Sequence, residues 1–276
     1  MKEEVLLLTH KMNKTISSGV EKLKEEVGKN RALTILSQDY STGFKDIDEF
    51  IFSLNSLKNL GYPMFGDTVV PGHTHFPLLS YYRTQQEKSD YYWLIEYDVR
   101  YSGKWFELFD YFSQSDADFI SSYIRYYSEE PNFFWWKLEN PDKEIALENR
   151  VRSFNPIYRI SERALKFLDI ELKKGWVGHY EVVIPSLLYH ASGFEILDFG
   201  GDGSFTEQKN RFYTSRTDMH GKITSGTMRY IPAMAKPGLR PNMIYHPVKE
   251  NGLGRGRFLV GNLYRALTSK LNKRLT

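Results

Sequence analysis

Two acidic residues, separated by a single residue, end a β-rich and mostly apolar segment. Residues 91–95 have the composition of a buried strand, and Glu96 and Asp98 follow it. Because side chains alternate along a strand, both carboxylates point to the same side. Paired carboxylate oxygens are suitable ligands for Mg²⁺ or Mn²⁺. The alternative is that one acid pairs with Arg100 or Arg83 while the other faces water, since this spacing of acids is common.

A histidine and a third acid, both distant in sequence, are further candidates for chemistry. His246 lies close to Lys249, and its imidazole could complete a metal site begun by Asp98. The alternative for His246 is a purely structural role. Glu181 follows an aromatic-flanked turn at the start of a predicted helix over residues 182–190. An acid at that position is also explained by its favourable interaction with the helix dipole.

Alternating strands and helices are predicted for the first third of the chain. We expect strands at 5–9, 32–36, 78–82 and 91–98, and helices at 16–27 and 44–60. This order predicts an α/β fold with a mainly parallel central sheet flanked by helices. Ligands of such sheets bind outside the carboxyl ends of the strands. The residues expected there are Thr9, His10, Asp39, Glu96 and Asp98.

The rest of the chain continues this alternation with one irregular insertion. We expect helices at 105–112, 162–174 and 182–190, and strands at 117–124, 156–160 and 194–199. Ser161 is the expected N-cap of the second of these helices. Residues 126–150 are rich in aromatic and charged side chains, and they either line a ligand groove or cover the core.

Composition restricts the class of protein. The chain has 276 residues, 41% of them hydrophobic, which is enough for one large core in a single domain. A net charge of +3 does not predict a nucleic-acid partner. The absence of cysteine excludes disulfides, thiol catalysis and cysteine-ligated zinc. No segment approaches the ~20 apolar residues of a membrane span, and the N-terminus lacks signal-peptide features, so we expect a cytoplasmic protein.

Taken in order, these motifs resemble nucleotide-sugar glycosyltransferases of the GT-A type over nearly the whole chain. Residues 95–98, Ile-Glu-Tyr-Asp, look like a variant of that superfamily's acid-x-acid motif. Residues 176–181, Trp-Val-Gly-His-Tyr-Glu, resemble the acceptor-side acidic motif of inverting members. His246 lies where many members have a late metal-binding histidine. Residues 96–103 are also similar to a poorly characterised bacterial and fungal subgroup.

The resemblance implies a role for each candidate residue. Asp98, with Glu96 and His246, would hold a Mn²⁺ or Mg²⁺ ion at the donor diphosphate, and transfer without a metal is the alternative. Glu181 would be the general base that deprotonates the acceptor hydroxyl, which predicts inversion at the anomeric carbon. The nucleotide-sugar side would consist of Thr9, His10, Lys11, Asp39, Glu96, Asp98, Arg100 and Lys249, and the acceptor side of Trp176 and His179.

The resemblance also implies a domain organisation and partners. Residues 1–257 would form one GT-A-like (Rossmann-like) domain, in which 1–125 bind the nucleotide sugar and 126–257 bind the acceptor. Residues 258–276 would form a basic amphipathic helix that either contacts an anionic membrane surface or docks on the core. We expect a UDP-sugar donor and a glycan or glycolipid acceptor. A role in bacterial polysaccharide or lipopolysaccharide biosynthesis would place the protein at the inner face of the membrane.

Other hypotheses use the same residues differently. A retaining transferase on the same fold would give Glu181 or Asp202 another role. A non-catalytic nucleotide- or sugar-binding module would keep the sheet and bind donor without turnover. A metal hydrolase would draw its ligands from His73, His75, Asp98 and His246.

Overall fold

The computed structural model describes residues 1–209, 211–217 and 223–250. The strands are β1 (Glu3–Thr9), β2 (Arg31–Gln38), β3 (Asp48–Phe52), β4 (Tyr91–Glu96), β5 (Arg100–Tyr101), β6 (Phe119–Tyr126), β7 (Leu138–Glu139), β8 (Val151–Ser161), β9 (Val177–Gly178), β10 (Ile196–Asp198), β11 (Ser215–Thr217), β12 (Ile223–Gly226) and β13 (Ile244–Tyr245). The helices are α1 (Lys14–Glu26), α2 (Leu54–Lys58), α3 (His75–Thr84), α4 (Trp105–Phe112), α5 (Glu162–Lys173) and α6 (Tyr180–His190), with short 3₁₀ turns at Tyr127–Glu129 and Leu147–Asn149.

The central sheet has seven strands in the order β10-β6-β8-β4-β1-β2-β3. Strand β1 pairs in parallel with β2 and β4, β2 with β3, and β10 with β6. Strand β8 runs antiparallel to both of its neighbours, β4 and β6. The predicted α/β class, with a mainly parallel sheet flanked by helices, is therefore confirmed.

Helices cover both faces of the sheet, and the sheet separates two apolar cores. One core packs α1 and α4 against the sheet, and the other packs α2, α3, α5 and α6 against the opposite face. Strands buried on both faces need nearly continuous apolar runs, which explains the composition of β1 and β4. The Ser161 side chain accepts a hydrogen bond from the Ala164 amide at 3.2 Å, so its predicted N-cap role in α5 is confirmed.

The prediction of a strand at residues 78–82 is wrong. These residues lie in α3, whose first turn contains Pro77, and the helix buries Leu78, Leu79 and Tyr82. A short apolar run does not by itself distinguish a buried strand from a buried helix. Proline is compatible with a first helical turn because the amide it lacks has no intrahelical partner there.

The prediction of one long helix over residues 44–60 is also wrong. Residues 48–52 form β3, which adds an edge strand to the sheet, and only Leu54–Lys58 are helical. The aromatic and β-branched residues Phe50, Ile51 and Phe52 favour a strand. Ser53 then starts α2 through reciprocal hydrogen bonds with Ser56, at 2.9 and 3.1 Å.

The remaining predicted elements agree with the structure in type, and most of them differ from it in extent. The helices predicted at 105–112 and 182–190 are α4 and α6, and the strand predicted at 156–160 is the second half of the longer β8. Residues 127–150 contain only the two 3₁₀ turns and β7, which pairs with β9. None of the helices in the described ranges has the length and apolar character that spanning a membrane requires. The basic segment 258–276 lies outside the described residues.

Candidate active site

A cavity of about 660 Å³ opens at the carboxyl ends of β1, β2 and β4. This is the edge of an α/β sheet at which ligands usually bind. Its polar lining residues are Thr9, His10, Lys11, Gln38, Thr74, Glu96, Tyr97, Asp98, His179, Tyr180, Glu181, Tyr230, His246 and Lys249. Its apolar lining residues include Leu8, Phe52, Val69, Val70, Pro71, Phe134, Trp135, Phe154, Pro156 and Ile231. Residues predicted from distant parts of the sequence therefore meet in one space.

Two carboxylates and an imidazole converge at one corner of the cavity. Glu96 ends β4, Asp98 lies in the turn after it, and His246 follows β13, which pairs with β5. One ligand atom from each residue lies within 4.8 Å of the others. The amide of Val248 donates to the Asp98 carbonyl at 2.8 Å, which ties the His246 segment to the end of β4.

These donors fit a divalent cation. His246 Nδ1 lies 2.8 Å from the Arg229 carbonyl and must donate to it, so Nε2 is the nitrogen that faces the two acids and that can ligate a cation once its proton is lost. That nitrogen lies 3.4 Å from Asp98 Oδ1 and 3.9 Å from Glu96 Oε2. Asp98 Oδ1 is buried and has no hydrogen-bond partner among the described residues. Oxygen and imidazole donors in this combination suit Mn²⁺ or Mg²⁺.

The two carboxyl groups of this corner have opposite pKa shifts. Burial alone would raise the pKa of Asp98, but its ion pairs with His246 and with Lys249, 3.2 Å away, outweigh burial and hold it at about 2. Burial and the neighbouring Asp98 charge raise the pKa of Glu96 to about 8. Like charges this close favour one ionised and one protonated acid until a cation joins them.

Cationic and aromatic side chains border this corner. The Tyr97 ring contacts His10 edge-on, with centroids 5.0 Å apart, and Lys11 and Lys249 approach the same ring to 5.2 and 5.8 Å. Thr9 Oγ1 accepts a hydrogen bond from the Lys11 amide at 3.2 Å, which fixes the turn after β1. The lysine ammonium groups lie where they can pair with an anion beside Asp98.

Glu181 lines the same cavity from the first turn of α6. Its side chain is 1% exposed, and Oε2 accepts a hydrogen bond from the Tyr230 hydroxyl at 2.6 Å. Oε2 also lies 3.8 Å from Arg152 Nη2. The helix is started by His179, whose Nδ1 accepts a hydrogen bond from the Glu181 amide at 3.4 Å. The His179 ring in turn stacks on Trp135, with centroids 5.1 Å apart.

The pKa of Glu181 is raised to about 7. Burial is the largest cause, and the Arg152 charge, the Tyr230 hydrogen bond, a backbone hydrogen bond from Asn155 and the His246 charge oppose it only in part. A carboxyl group with a pKa near 7 can take up and release a proton near neutral pH. The helix-dipole explanation of Glu181 does not account for this burial or for its place in the cavity wall.

Two residues expected at the donor side do not line the cavity. Asp39 is exposed in a left-handed conformation, with φ 62°, and its neighbour Gln38 faces the cavity instead. The Arg100 guanidinium donates to the backbone carbonyls of Thr15, Tyr97 and Val99 at 2.6 to 2.8 Å. Arg100 is therefore engaged in holding the turn that carries Asp98, and neither it nor Arg83 pairs with Glu96 or Asp98.

Trp176 and the histidine pair also lie outside the cavity wall. Trp176 is buried, and its indole nitrogen donates to Glu171 at 3.2 Å beside a second, separate cavity. His73 and His75 are buried behind Thr74, which does line the first cavity. Across the described ranges, Glu96, Asp98 and His246 form the one group of three acidic or histidine side chains that could hold a metal ion, and His73 and His75 do not belong to it.

Sequence reasoning missed several residues of the Glu181 side. Arg152 and Tyr230 contact Glu181 directly, although Arg152 belongs to β8 and Tyr230 lies far along the chain. Trp135 lines the cavity from the irregular insertion, whereas Phe133 and Trp136 of the same segment are buried in the core, so each of the two alternatives describes part of it. An arginine inside a strand that is otherwise buried was the available signal for Arg152, since such a charge requires a partner.

Comparison with known proteins yields similarity at the level of the backbone. No family model matches the chain, and no curated protein sequence matches it. The structure is similar to an active-site mutant of LgtC (TM-score 0.44, 11% identity, covering 76% of this chain and 74% of that chain). It is also similar to glucosyl-3-phosphoglycerate synthase from Mycobacterium tuberculosis in complex with Mn²⁺, UDP and phosphoglyceric acid (0.41, 13%, 74% and 69%) and to mouse xyloside xylosyltransferase 1 (0.40, 12%, 71% and 85%). All three TM-scores lie below 0.5, so the case for a function rests on the geometry of the cavity.

Proposed function

We propose that this protein is a GT-A-type glycosyltransferase that moves a sugar from a nucleotide-sugar donor to an acceptor hydroxyl with inversion. One observation carries the proposal: a single cavity contains both the Glu96–Asp98–His246 group and the carboxyl group of Glu181, whose pKa is raised to about 7. Glycosyl transfer needs compensation for the charge of a departing diphosphate and a proton acceptor for the attacking hydroxyl. The two sides of the cavity supply these two requirements.

On the donor side, the diphosphate lies against Lys11, Lys249 and the acidic corner. Lys249 already contacts Asp98 at 3.2 Å and is 41% exposed, so its ammonium group can reach a phosphate oxygen. Glu96, Asp98 and His246 would hold a Mn²⁺ or Mg²⁺ ion, which would supply Lewis-acid stabilisation of the leaving diphosphate. Gln38 and Phe52, at the ends of β2 and β3, border the part of the cavity left for the nucleoside.

On the acceptor side, Glu181 takes the proton of the acceptor hydroxyl. The acceptor oxygen bonds to the anomeric carbon while the bond from that carbon to the donor diphosphate breaks. Attack from the face opposite the leaving group inverts the anomeric configuration. The products are the glycoside, the nucleoside diphosphate and a protonated Glu181, which returns its proton to water. The exposed edge of the cavity at Trp135 and Phe134 offers aromatic surface to the acceptor sugar.

The finer assignments stay predictions within this proposal. UDP is the first donor nucleotide to test, and a glycan or a glycolipid is the expected acceptor. Membrane contact through residues 258–276 concerns a segment outside the described residues. The role in polysaccharide or lipopolysaccharide assembly is likewise a prediction. The division of the chain into a donor half, 1–125, and an acceptor half, 126–257, also stays a prediction. Residues from both of these halves line the cavity.

The first test is thermal stabilisation of the purified protein by UDP, GDP and CMP, each with Mn²⁺ and with EDTA. A ligand at about 100 times its Kd stabilises by about 2.7 kcal/mol, which corresponds to a shift of several degrees for a chain of this size. We expect one nucleotide to give this shift with Mn²⁺ and to lose most of it in EDTA.

The outcomes separate the competing hypotheses. A thermal shift that survives EDTA would assign compensation of the diphosphate charge to Lys11 and Lys249 and would leave the transferase proposal standing. The absence of a shift with every nucleotide would contradict the proposal. Once a donor is found, the anomeric configuration of the product distinguishes inversion from retention, and binding without turnover identifies a non-catalytic module.

A further inference from the structure

A buried arginine connects Glu181 to a second acid behind the cavity wall. Arg152 is 0% exposed, and its Nη1 donates to Glu130 Oε2 at 3.0 Å. Its Nη2 donates to the Tyr230 hydroxyl and to the Ser153 carbonyl, both at 3.0 Å, and lies 3.8 Å from Glu181 Oε2. One guanidinium thus serves two buried carboxyl groups, and the shorter of the two ion pairs is the one with Glu130.

Tyr230 bridges the arginine and the cavity acid. Its hydroxyl accepts from Arg152 and donates to Glu181 Oε2 at 2.6 Å, and its ring contacts Phe154 with centroids 4.4 Å apart. Burial raises the pKa of Tyr230 well above its usual value, so this hydroxyl keeps its proton and remains a donor. The direction of the hydrogen bonds is therefore fixed, from Arg152 through Tyr230 to the carboxylate.

The other groups that face Glu181 cannot replace this contact. His179 Nδ1 lies 3.7 Å from Glu181 Oε2, but it accepts the Glu181 amide proton, and burial with the Arg152 charge lowers the pKa of His179 to about 3. His179 is therefore neutral and presents a lone pair. His246 and Glu96 act on Glu181 only through longer-range charge interactions.

We infer that Tyr230 and Arg152 are positioning residues that hold Glu181 in its ionised, proton-accepting state, and that Glu130 limits the effect by sharing the arginine. This inference rests on the proposed role of Glu181 as the base, and it adds a mechanism that sets the working pH. Tyr230 transfers no proton of its own. Its hydroxyl stabilises the carboxylate by a hydrogen bond that the protonated acid makes less well.

The inference predicts opposite effects for two substitutions. Tyr230→Phe removes the hydrogen bond to the carboxylate, so the pH at which Glu181 is half protonated should rise by about one unit or more. Glu130→Gln removes the acid that competes for Arg152, so the same midpoint should fall. Opposite shifts from two neighbouring substitutions are not the result of a general loss of structure.

The experiment is a carboxyl ¹³C NMR titration of glutamate-labelled full-length protein in EDTA, with the Glu181 signal assigned by its loss in Glu181→Gln. The matched control is Tyr82→Phe, which removes a hydroxyl that donates to Glu162 near the opposite end of β4 and should leave the Glu181 midpoint unchanged. If Tyr230→Phe leaves the midpoint at the wild-type value, or Glu130→Gln raises it, the inference is overturned.

The titration needs no donor or acceptor, so it also separates this inference from the proposed function. If the protein binds no nucleotide but shows both shifts, the inference about Tyr230, Arg152 and Glu130 is supported and the proposed transferase function is contradicted. If the protein transfers sugar but shows neither shift, the proposed function is supported and the inference about these three residues is contradicted. Once an assay exists, the acid limb of kcat/KM against pH should move to higher pH in Tyr230→Phe and to lower pH in Glu130→Gln.

Discussion

Asp98 and Glu181 are both buried acids on the wall of one cavity, yet they differ by about five units in pKa. Their exposures are 3% and 1%, and both lie beside cationic side chains. The pKa of Asp98 is held at about 2, whereas that of Glu181 is raised to about 7. Burial acts in the same direction on both, so the difference comes from their partners.

The number, distance and sharing of the cations explain the difference. Asp98 has His246 and Lys249 at 3.4 and 3.2 Å. Glu181 has Arg152 at 3.8 Å, which is closer to Glu130, and only a longer-range interaction with His246. Charge interactions weaken with distance, and a cation between two acids compensates each of them incompletely. The result is one permanent negative charge and one acid that exchanges protons near neutrality.

Glu181→Gln should have the largest effect because it removes the proton acceptor and leaves the donor corner intact. We expect the turnover number to fall by roughly 10²–10⁴, the usual range for acid–base assistance, with little change in donor affinity. Product formation and calorimetric donor titration measure the two quantities. Glu171→Gln, at a buried acid beside the second cavity, is the matched control. Turnover at the wild-type rate in Glu181→Gln would place the base elsewhere.

Asp98→Asn should have the next largest effect because it removes the permanent charge. We expect metal-dependent stabilisation by nucleotide to disappear and turnover to fall by roughly 10²–10³, the range seen when one group that stabilises charge in the transition state is lost. Asp169→Asn, at an acid on α5 that pairs with Arg83, controls for the loss of an ion pair away from the cavity. An unchanged metal-dependent shift would contradict the assignment of Asp98.

The pH dependence of the reaction tests the raised pKa of Glu181. The base must be ionised, so activity should be present above pH 7 and should fall about tenfold per pH unit below it. Asp98 stays ionised across this range because its pKa is held at about 2. The measurement is kcat/KM from about pH 5 to pH 9 at saturating Mn²⁺, because Glu96, with its pKa raised to about 8, would otherwise titrate in the same range. A rate that stays constant down to about pH 5 would mean that the essential base has the pKa of an ordinary exposed carboxyl.

Gln38 and Asp39 allow a finer test at the nucleoside end of the cavity. Gln38→Ala should raise the donor KM by roughly 2- to 10-fold, the value of one lost hydrogen bond. Asp39→Ala should have a smaller effect, since Asp39 is exposed and does not line the cavity, and its carboxylate accepts a hydrogen bond from Gln38 Nε2 at 3.2 Å. The reverse ranking would assign the contact with the nucleoside to Asp39.

Much of the donor corner could be predicted because its cause is local. Apolar runs that end in polar residues identify β1 and β4 and place Thr9, Glu96 and Asp98 at one edge of the sheet. The position of Glu181 in the first turn of α6 could also be predicted, from the turn before it and the apolar helix after it. The errors at residues 48–52 and 78–82 arose where a short apolar segment fits either a helix or a strand.

The sequence by itself determined most of the strands and helices, the covered sheet and the types of residue at its carboxyl edge. Only the tertiary structure decided that β8 runs antiparallel beside β4, that Arg152 lies behind Glu181, and that Tyr230 and His246 return to the cavity from far along the chain. It also decided the protonation of each acid. Periodicity and capping depend on near neighbours in sequence, whereas a pKa depends on the burial and charges that the whole fold places around a group.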